Sequence, residues 1–370
     1  MTDIYLIRHA EAEGNIYRRA HGQFDSSVIG RAYAQIERLK ARFENEKIDA
    51  VYSSDLLRTC ETASAIYKHH DLPLRTDNRL REIGMGEWED MAWGEIEYLF
   101  PEMVKLFNTD TARWRVGGCE DYHGVQKRMT ACIREIAQRH DGGAVAVFSH
   151  GLAIRIFLCG LLGLESGDMN NVPYFDNTAV TYLRYDDGKF SIEYKGDNSH
   201  LSLENSTFAR QTWWRNERER VYENLRFLPL DEGRDSALLE FCREEAVRER
   251  NENRVFGAET QYAAFLGELP VGLIGLDDAD IRRSPGNNIS PDRAGWIDYI
   301  FVKPELRFRN FGVQLLGQAV SVFRKLNCGK LRISIPNGSP SLDFFLRFEF
   351  SVTGEDASFC LLEKNIRSRM

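Results

Sequence analysis

No apolar run in this 370-residue chain approaches the ~18 consecutive residues of a membrane span. A membrane-spanning reading falls on that count. The chain enters an apolar strand directly at its start, so the expectation is a cytoplasmic protein with no signal peptide. Positive charge is not in excess: the formal net charge is −8, which argues against a nucleic-acid surface. Cysteine pairs at C-x-x-C spacing are missing too. The seven cysteines (Cys60, Cys119, Cys132, Cys159, Cys242, Cys328 and Cys360) are odd in number and scattered, which fits reduced structural thiols. No histidine follows His200, and no internal repeat or low-complexity tract is evident. What remains is an ordinary globular composition, 43% hydrophobic and 28% charged. The length favours about two domains, each large enough for its own core.

The first half carries the clearer chemistry. Ile4-Tyr5-Leu6-Ile7 reads as a buried strand that runs into Arg8-His9 and then Ala10 to Asn15. An arginine supplies a planar fork of donors that matches phosphate oxygens, and an adjacent imidazole can attack phosphorus. A short strand at Ala50 to Tyr52 meets Ser53 and Ser54, both N-cap types, before a helix with Arg58 in its early turns. Leu80-Arg81-Glu82 adds a carboxylate. Ala144 to Ser149 is an apolar strand that ends at His150-Gly151. Polar residues at the carboxyl ends of buried parallel strands are where open α/β sheets bind ligands.

With R-H-A at Arg8 to Ala10, S-S-D-L-L-R at Ser53 to Arg58, L-R-E at Leu80 to Glu82 and S-H-G at Ser149 to Gly151, residues 1 to about 200 resemble the histidine phosphatase superfamily, the fold of cofactor-dependent phosphoglycerate mutases. The resemblance implies that His9 is the nucleophile and Glu82 the acid. Arg8, Arg58 and His150 would surround the phosphoryl oxygens, with Asn15, Gly151 and backbone N–H groups completing the substrate site. It implies no metal, because the arginines neutralise the phosphate. The acid-phosphatase branch places Asp after its second histidine. Gly151 stands there instead, so the mutase-like branch fits better, and the ~200 residues leave little room for a full mutase substrate loop. His21, His69, His70, His123, His140 and His200 read as bystanders, with His21 the one that has a case for lining the mouth. Tyr17, Arg18, Arg19, Phe24, Trp88 and Trp93 are rim candidates.

The second half reads as strand Leu225 to Leu230, helix Asp235 to Glu249, a hairpin of Tyr262 to Leu266 with Val271 to Leu276, a strand at Trp296 to Val302, and a helix from Val313 to Arg324. The loop Arg307-Phe308-Arg309-Asn310-Phe311-Gly312 before that helix is an anion cradle of backbone N–H groups and helix dipole. Val302, Pro304, Arg307 and Gly312 match the V-x-P-x-x-R-x-x-G-x-G signature, so this half is similar to the GCN5-related N-acetyltransferases (GNAT). The resemblance implies that Val302, Arg307, Arg309, Asn310, Phe311 and Gly312 hold acetyl-CoA. Asn310 replaces a signature glycine but tolerates left-handed backbone. Phe345 stands where the family often has a proton-donating tyrosine. Asp298 is a candidate general base or an outward-facing strand residue.

The expected fold is α/β: a phosphoglycerate mutase-like three-layer α/β/α domain over 1–203, a linker or connecting helix over 204–222 holding Trp213-Trp214, and a GNAT-like mixed α/β domain over 223–370. The expected activity is metal-independent phosphomonoester hydrolysis through phosphohistidine, with acetyl-CoA the cofactor of the second domain only. A mutase-type phosphotransferase and a regulatory sensor of acyl-CoA and a phospho-ligand are the rivals. The expected partners are a phosphorylated small molecule and a coenzyme A thioester, with no nucleic acid and no membrane; a homodimer is compatible with the sequence.

Overall fold

The computed structural model describes residues 1–211, 223–248, 258, 260–277 and 293–367. The tryptophan pair Trp213-Trp214 and the charged run after it lie outside the described residues.

The first sheet is built from β1 (Thr2–Arg8), β2 (Ala50–Ser53), β3 (Leu74–Thr76), β4 (Ala144–Ser149), β5 (Val180–Asp186) and β6 (Lys189–Asp197), in the order β3-β2-β4-β1-β5-β6. Strands β1 to β4 run parallel, and β5 and β6 add antiparallel. The central strand β4 reads Ala-Val-Ala-Val-Phe-Ser because helices cover both its faces. Those helices are α1 (Glu13–Tyr17), α2 (Tyr33–Phe43), α3 (Leu57–Tyr67), α4 (Trp93–Leu99), α5 (Pro101–Thr109), α6 (Tyr122–Arg139) and α7 (Gly151–Leu162), with the short α8 (Thr207–Arg210) after the sheet. Asp121 caps α6 by accepting from Gly124 N at 3.0 Å, and α7 stops at Gly163, whose φ of 66° closes the last turn. Ser53 and Ser54 do not cap α3 as expected. Its N-cap is Leu56, because Ser54 turns toward His150.

The second sheet has the order β12-β13-β11-β10-β9-β8-β7, from β7 (Arg226–Pro229), β8 (Thr260–Leu266), β9 (Leu269–Asp277), β10 (Ala294–Val302), β11 (Lys330–Pro336), β12 (Ser351–Glu355) and β13 (Phe359–Asn365). Its helices are α9 (Ser236–Arg248), α10 (Phe311–Lys325) and α11 (Leu342–Arg347). The expected hairpin is β8–β9. Strands β10 and β11 pair in parallel only from Ala294 to Ile297 against Lys330 to Ile333, and β10 carries a bulge between Ile297 and Tyr299. The parallel pair therefore opens toward the end of β10 that feeds the cradle loop.

The expectation of one core per half is corrected. One apolar cluster runs from Ile7, Ile16, Tyr17 and Ile36 through Leu225 to Phe311, Leu315 and Leu331. Helix α10 lies directly on α1. A Cβ on Gly317 would stand 2.5 Å from the Tyr17 side chain, so only glycine lets the two backbones approach so closely. A buried polar set reinforces this seam. Arg19 binds Asp90 at 2.9 Å and Ser321 Oγ at 2.9 Å, and Arg324 reaches Glu13 at 2.8 Å. Among the described residues no helix is long and apolar enough to cross a membrane.

Candidate active site

Three neighbouring strands, β2, β4 and β1, end side by side. Arg8 lies opposite Ser149, and Ser53 opposite Phe148, so the residues just beyond them meet at one edge. A cavity of about 190 Å³ opens there, lined by Arg8, His9, Asn15, Arg58, Glu82 and Gly151 among others. His150 packs behind this wall, fully buried, with its ring centroid 5.3 Å from that of His9.

His9 is 4% exposed, and its Nδ1 lies 2.7 Å from its neighbour's carbonyl, Ala10 O. A carbonyl only accepts, so Nδ1 carries the proton and Nε2 keeps a lone pair. Burial, then the charges of Arg58 and Arg8, hold this imidazole well below its ordinary pKa. His9 is therefore neutral at physiological pH, with the lone pair on Nε2. His150 is depressed in the same way, by burial and then by Arg58. Its Nε2 lies 2.9 Å from Ser54 Oγ, and its Nδ1 is buried without a hydrogen-bond partner.

The two arginines are anchored at one edge and open at the other. Arg8 donates from one terminal nitrogen to Phe175 O. Arg58, fully buried, donates to Phe24 O at 2.9 Å and Gly22 O at 2.8 Å. In both, Nε is buried and unpartnered. Burial lowers Arg58 to about 10, which leaves it cationic at neutral pH. Buried donors left unpaired cost free energy unless an acceptor arrives, and a dianion beside two arginines is the acceptor that fits. A Cβ on Gly151 would stand 3.2 Å from Arg8 Nε, so the absence of a side chain there keeps the guanidinium in place.

Glu82 joins this wall from a loop. Its oxygens accept from Ile83 N at 3.0 Å, Ala153 N at 2.7 Å and Leu152 N at 3.1 Å, which ties it to the first turn of α7. Three backbone donors therefore hold this carboxylate. The neighbouring acidic residues are engaged elsewhere. Glu89 accepts from Gln23 N and Met85 N, Glu87 from Gly117 N, and Asp90 holds Arg19.

Asn15 lines the cavity, and its Oδ1 accepts from Ala12 N at 2.9 Å. Gly14 N, one of the backbone donors expected for phosphate, donates to His21 Nε2 at 2.7 Å. His21, the one of the other histidines with a case for lining the mouth, lines the cavity. Its signal was the nearby Arg18-Arg19. Of the rim candidates, Arg18, Arg19 and Trp93 line the cavity. Tyr17 sits in the core, Trp88 is buried behind Trp93, and Phe24 contributes a carbonyl to Arg58. Sequence reasoning missed Glu97, Val104, Phe107, Arg155, Tyr174 and Asn224, which are among the residues of the remaining wall. Arg155 lies 3.9 Å over the Tyr174 ring.

In the second half, Asn310 takes φ 61°, the left-handed turn expected of it, and α10 begins at Phe311. Arg307 Nε donates to Val302 O at 3.0 Å, and Arg309 pairs with Glu223 at 2.8 Å. Val302 ends β10, and a Cβ on Gly312 would meet Phe344 at 3.2 Å. Phe311 is 1% exposed in the core, so only its backbone can face a ligand. Phe345 is buried against Phe350.

A family model described as the histidine phosphatase superfamily (branch 1) matches residues 4–198. The chain belongs to the histidine phosphatase superfamily. A second model, the acetyltransferase (GNAT) family, matches residues 218–350, so one chain carries both domains. "Phosphoglycerate mutase-like protein 4" of Arabidopsis thaliana is 32% identical over 204 residues, covering 54% of this chain and 87% of the relative. "Phosphoserine phosphatase 1" of Hydrogenobacter thermophilus is 31% identical over 165 residues, covering 45% and 78%. The solved structure of Bacillus stearothermophilus YhfR aligns with a TM-score of 0.53 at 30% identity, covering 55% of this chain and all of that one. The first half thus has the phosphoglycerate mutase-like fold expected of it, and the second is a GNAT domain.

Proposed function

We propose that this histidine phosphatase hydrolyses phosphomonoesters through a phosphohistidine on His9. The observation that carries the reading is the His9 ring: Nδ1 tied to Ala10 O, Nε2 left with its lone pair, and two arginines with unpaired donors lining the same cavity. Nε2 attacks phosphorus, the ester P–O bond breaks, and Glu82 gives the leaving oxygen its proton. Water then attacks the phosphohistidine, Glu82 takes a proton from it, and inorganic phosphate departs. Arg8, Arg58 and His150 stabilise the charge that spreads over the phosphoryl oxygens. A radiolabelled phosphomonoester should leave an acid-labile, base-stable label on the protein. His9→Ala should abolish label and turnover, and an undiminished rate in that variant would sink the assignment. Relatives bear both phosphatase and mutase names, so the assay follows inorganic phosphate: isomerised ester without phosphate release would mark a mutase.

The second domain, which we divide from the first within residues 204–222, is proposed to bind acetyl-CoA, which would supply an acetyl thioester. The residues fit such a ligand. The left-handed Asn310 turns the loop into the N-terminus of α10, Arg307 and Arg309 flank it, and β10 parts from β11 beside it. Phe345 offers no proton, so amine acetylation would be slow or draw its proton from another group.

A further inference from the structure

One wall of the phosphatase cavity does not come from the phosphatase domain. Asn224, 5% exposed, precedes β7 and falls inside the stretch that matches the GNAT family, yet it lines the same cavity as His9 and Arg58. Its side chain bridges two residues of the first domain that also line the cavity. Asn224 Oδ1 accepts from Arg18 Nε at 2.8 Å, and Nδ2 donates to Glu97 Oε1 at 2.7 Å. Three constraints hold it. Arg18 is locked in a left-handed turn, φ 54°, at the end of α1. Gly94 on α4 lets the second-domain backbone press in, since a Cβ there would stand 2.5 Å from Asn224 O. Next in sequence, Leu225 N donates to Gln314 Oε1 of α10 at 2.9 Å.

Trp93, Val104 and Phe107 give the same cavity an apolar flank, beside the amide of Asn108 and the Arg155–Tyr174 pair. The cavity therefore has three zones: a cationic end around His9, an apolar flank, and the Arg18–Asn224–Glu97 bridge. We propose that this bridge is a leaving-group subsite, so that the GNAT domain helps select the phosphatase's substrate. The matching substrate is a phosphomonoester whose leaving group is apolar beside the ester oxygen and ends in a hydrogen-bonding group. The inference rests on the hydrolase reading above and refines it. A ligand group that joins this bridge adds interactions that an analogue without the group lacks. Asn224 and Glu97 are then specificity residues.

The test compares phenyl phosphate with O-phosphotyramine, the same ester extended by an aminoethyl arm, on the full-length protein. Asn224→Ala and Glu97→Gln should each lower the kcat/KM preference for phosphotyramine by roughly ten-fold, mostly through KM. Asn224→Asp preserves the shape, sets a second carboxylate beside Glu97, and should raise the preference, because the aminoethyl arm is cationic. Melting curves identify any variant that fails to fold, and the remaining two then carry the comparison. A preference unchanged in the folded variants, with His9-dependent turnover intact, overturns the subsite alone. Absence of His9-dependent turnover on both esters overturns the subsite and the hydrolase reading together.

Discussion

The chain offers an anion two kinds of reception, and they differ in how much protein surrounds the charge. At the carboxyl edge of the first sheet, Arg8, His9, Arg58 and His150 are between 0% and 7% exposed, and several of their polar atoms have no protein partner. At the start of α10, Arg307 and Asn310 stand on an exposed loop, and Arg309 is engaged by Glu223. Low dielectric makes each buried donor strong and each misplaced atom costly. The exposed cradle has many weak, replaceable contributions. The first arrangement suits bond making and breaking, and the second suits holding a ligand whose chemistry lies elsewhere.

The sharpest way to break this contrast is Glu82→Gln. In the buried site a single-atom exchange should lower hydrolysis of alkyl phosphates by roughly two to four orders of magnitude. The loss should be much smaller for p-nitrophenyl phosphate, whose leaving group needs little protonation. Glutamine would also turn an amide N–H toward the donors of Leu152 or Ala153, so melting curves must accompany the rates. Equal losses on both substrates would assign the proton to another group.

In the cradle, Gly312→Glu adds bulk and negative charge at the helix N-terminus and crowds Phe344. Titration calorimetry on the full chain should show acetyl-CoA binding weakened at least about ten-fold, with ester hydrolysis affected far less. Unweakened binding would move the ligand away from this loop.

The smallest effect concerns pH. Burial, ahead of the charges of Arg58 and Arg8, keeps His9 and His21 far below their ordinary value of 6.5, and His150 is likewise depressed. Above pH 6.5 these rings are neutral folded and unfolded, so they cost nothing. Below it the unfolded chain takes up protons that the folded site refuses, and stability falls until the folded-state pKa is reached. The melting temperature should drop between pH 7 and pH 5, by on the order of 2–4 °C for each kcal/mol lost. Inorganic phosphate should shrink that drop by favouring protonated rings. A flat profile would mean that the site is less dry than its geometry implies.

The groups proposed to react were readable from the chain because each stands at the end of an apolar strand or inside a short, ordered motif. His9, Arg58, Glu82 and His150 belong there. The walls were not readable. Glu97, Phe107 and Arg155 lie on helices whose local pattern announces only amphipathicity, and tertiary packing alone decides that they face the ligand. His21 carried a faint signal in the neighbouring arginines. Asn224 carried none, since its role depends on a contact between segments more than a hundred residues apart. The shared core was hidden for the same reason. Gly317 looks like an ordinary helix glycine until Tyr17 is seen against it.

That one contact between Gly317 and Tyr17 bears on ancestry. Two genes joined end to end normally yield partners that can be parted again by a cut in the linker. Here a separated first half would leave Ile16 and Tyr17 uncovered, and a separated second half would bare the small-residue face of α10. Each piece has become the other's solvent-excluding coat. A lineage that lost one activity would still have to retain its scaffold, so a descendant with a silent catalytic loop and an intact α10 is the form of decay this architecture permits.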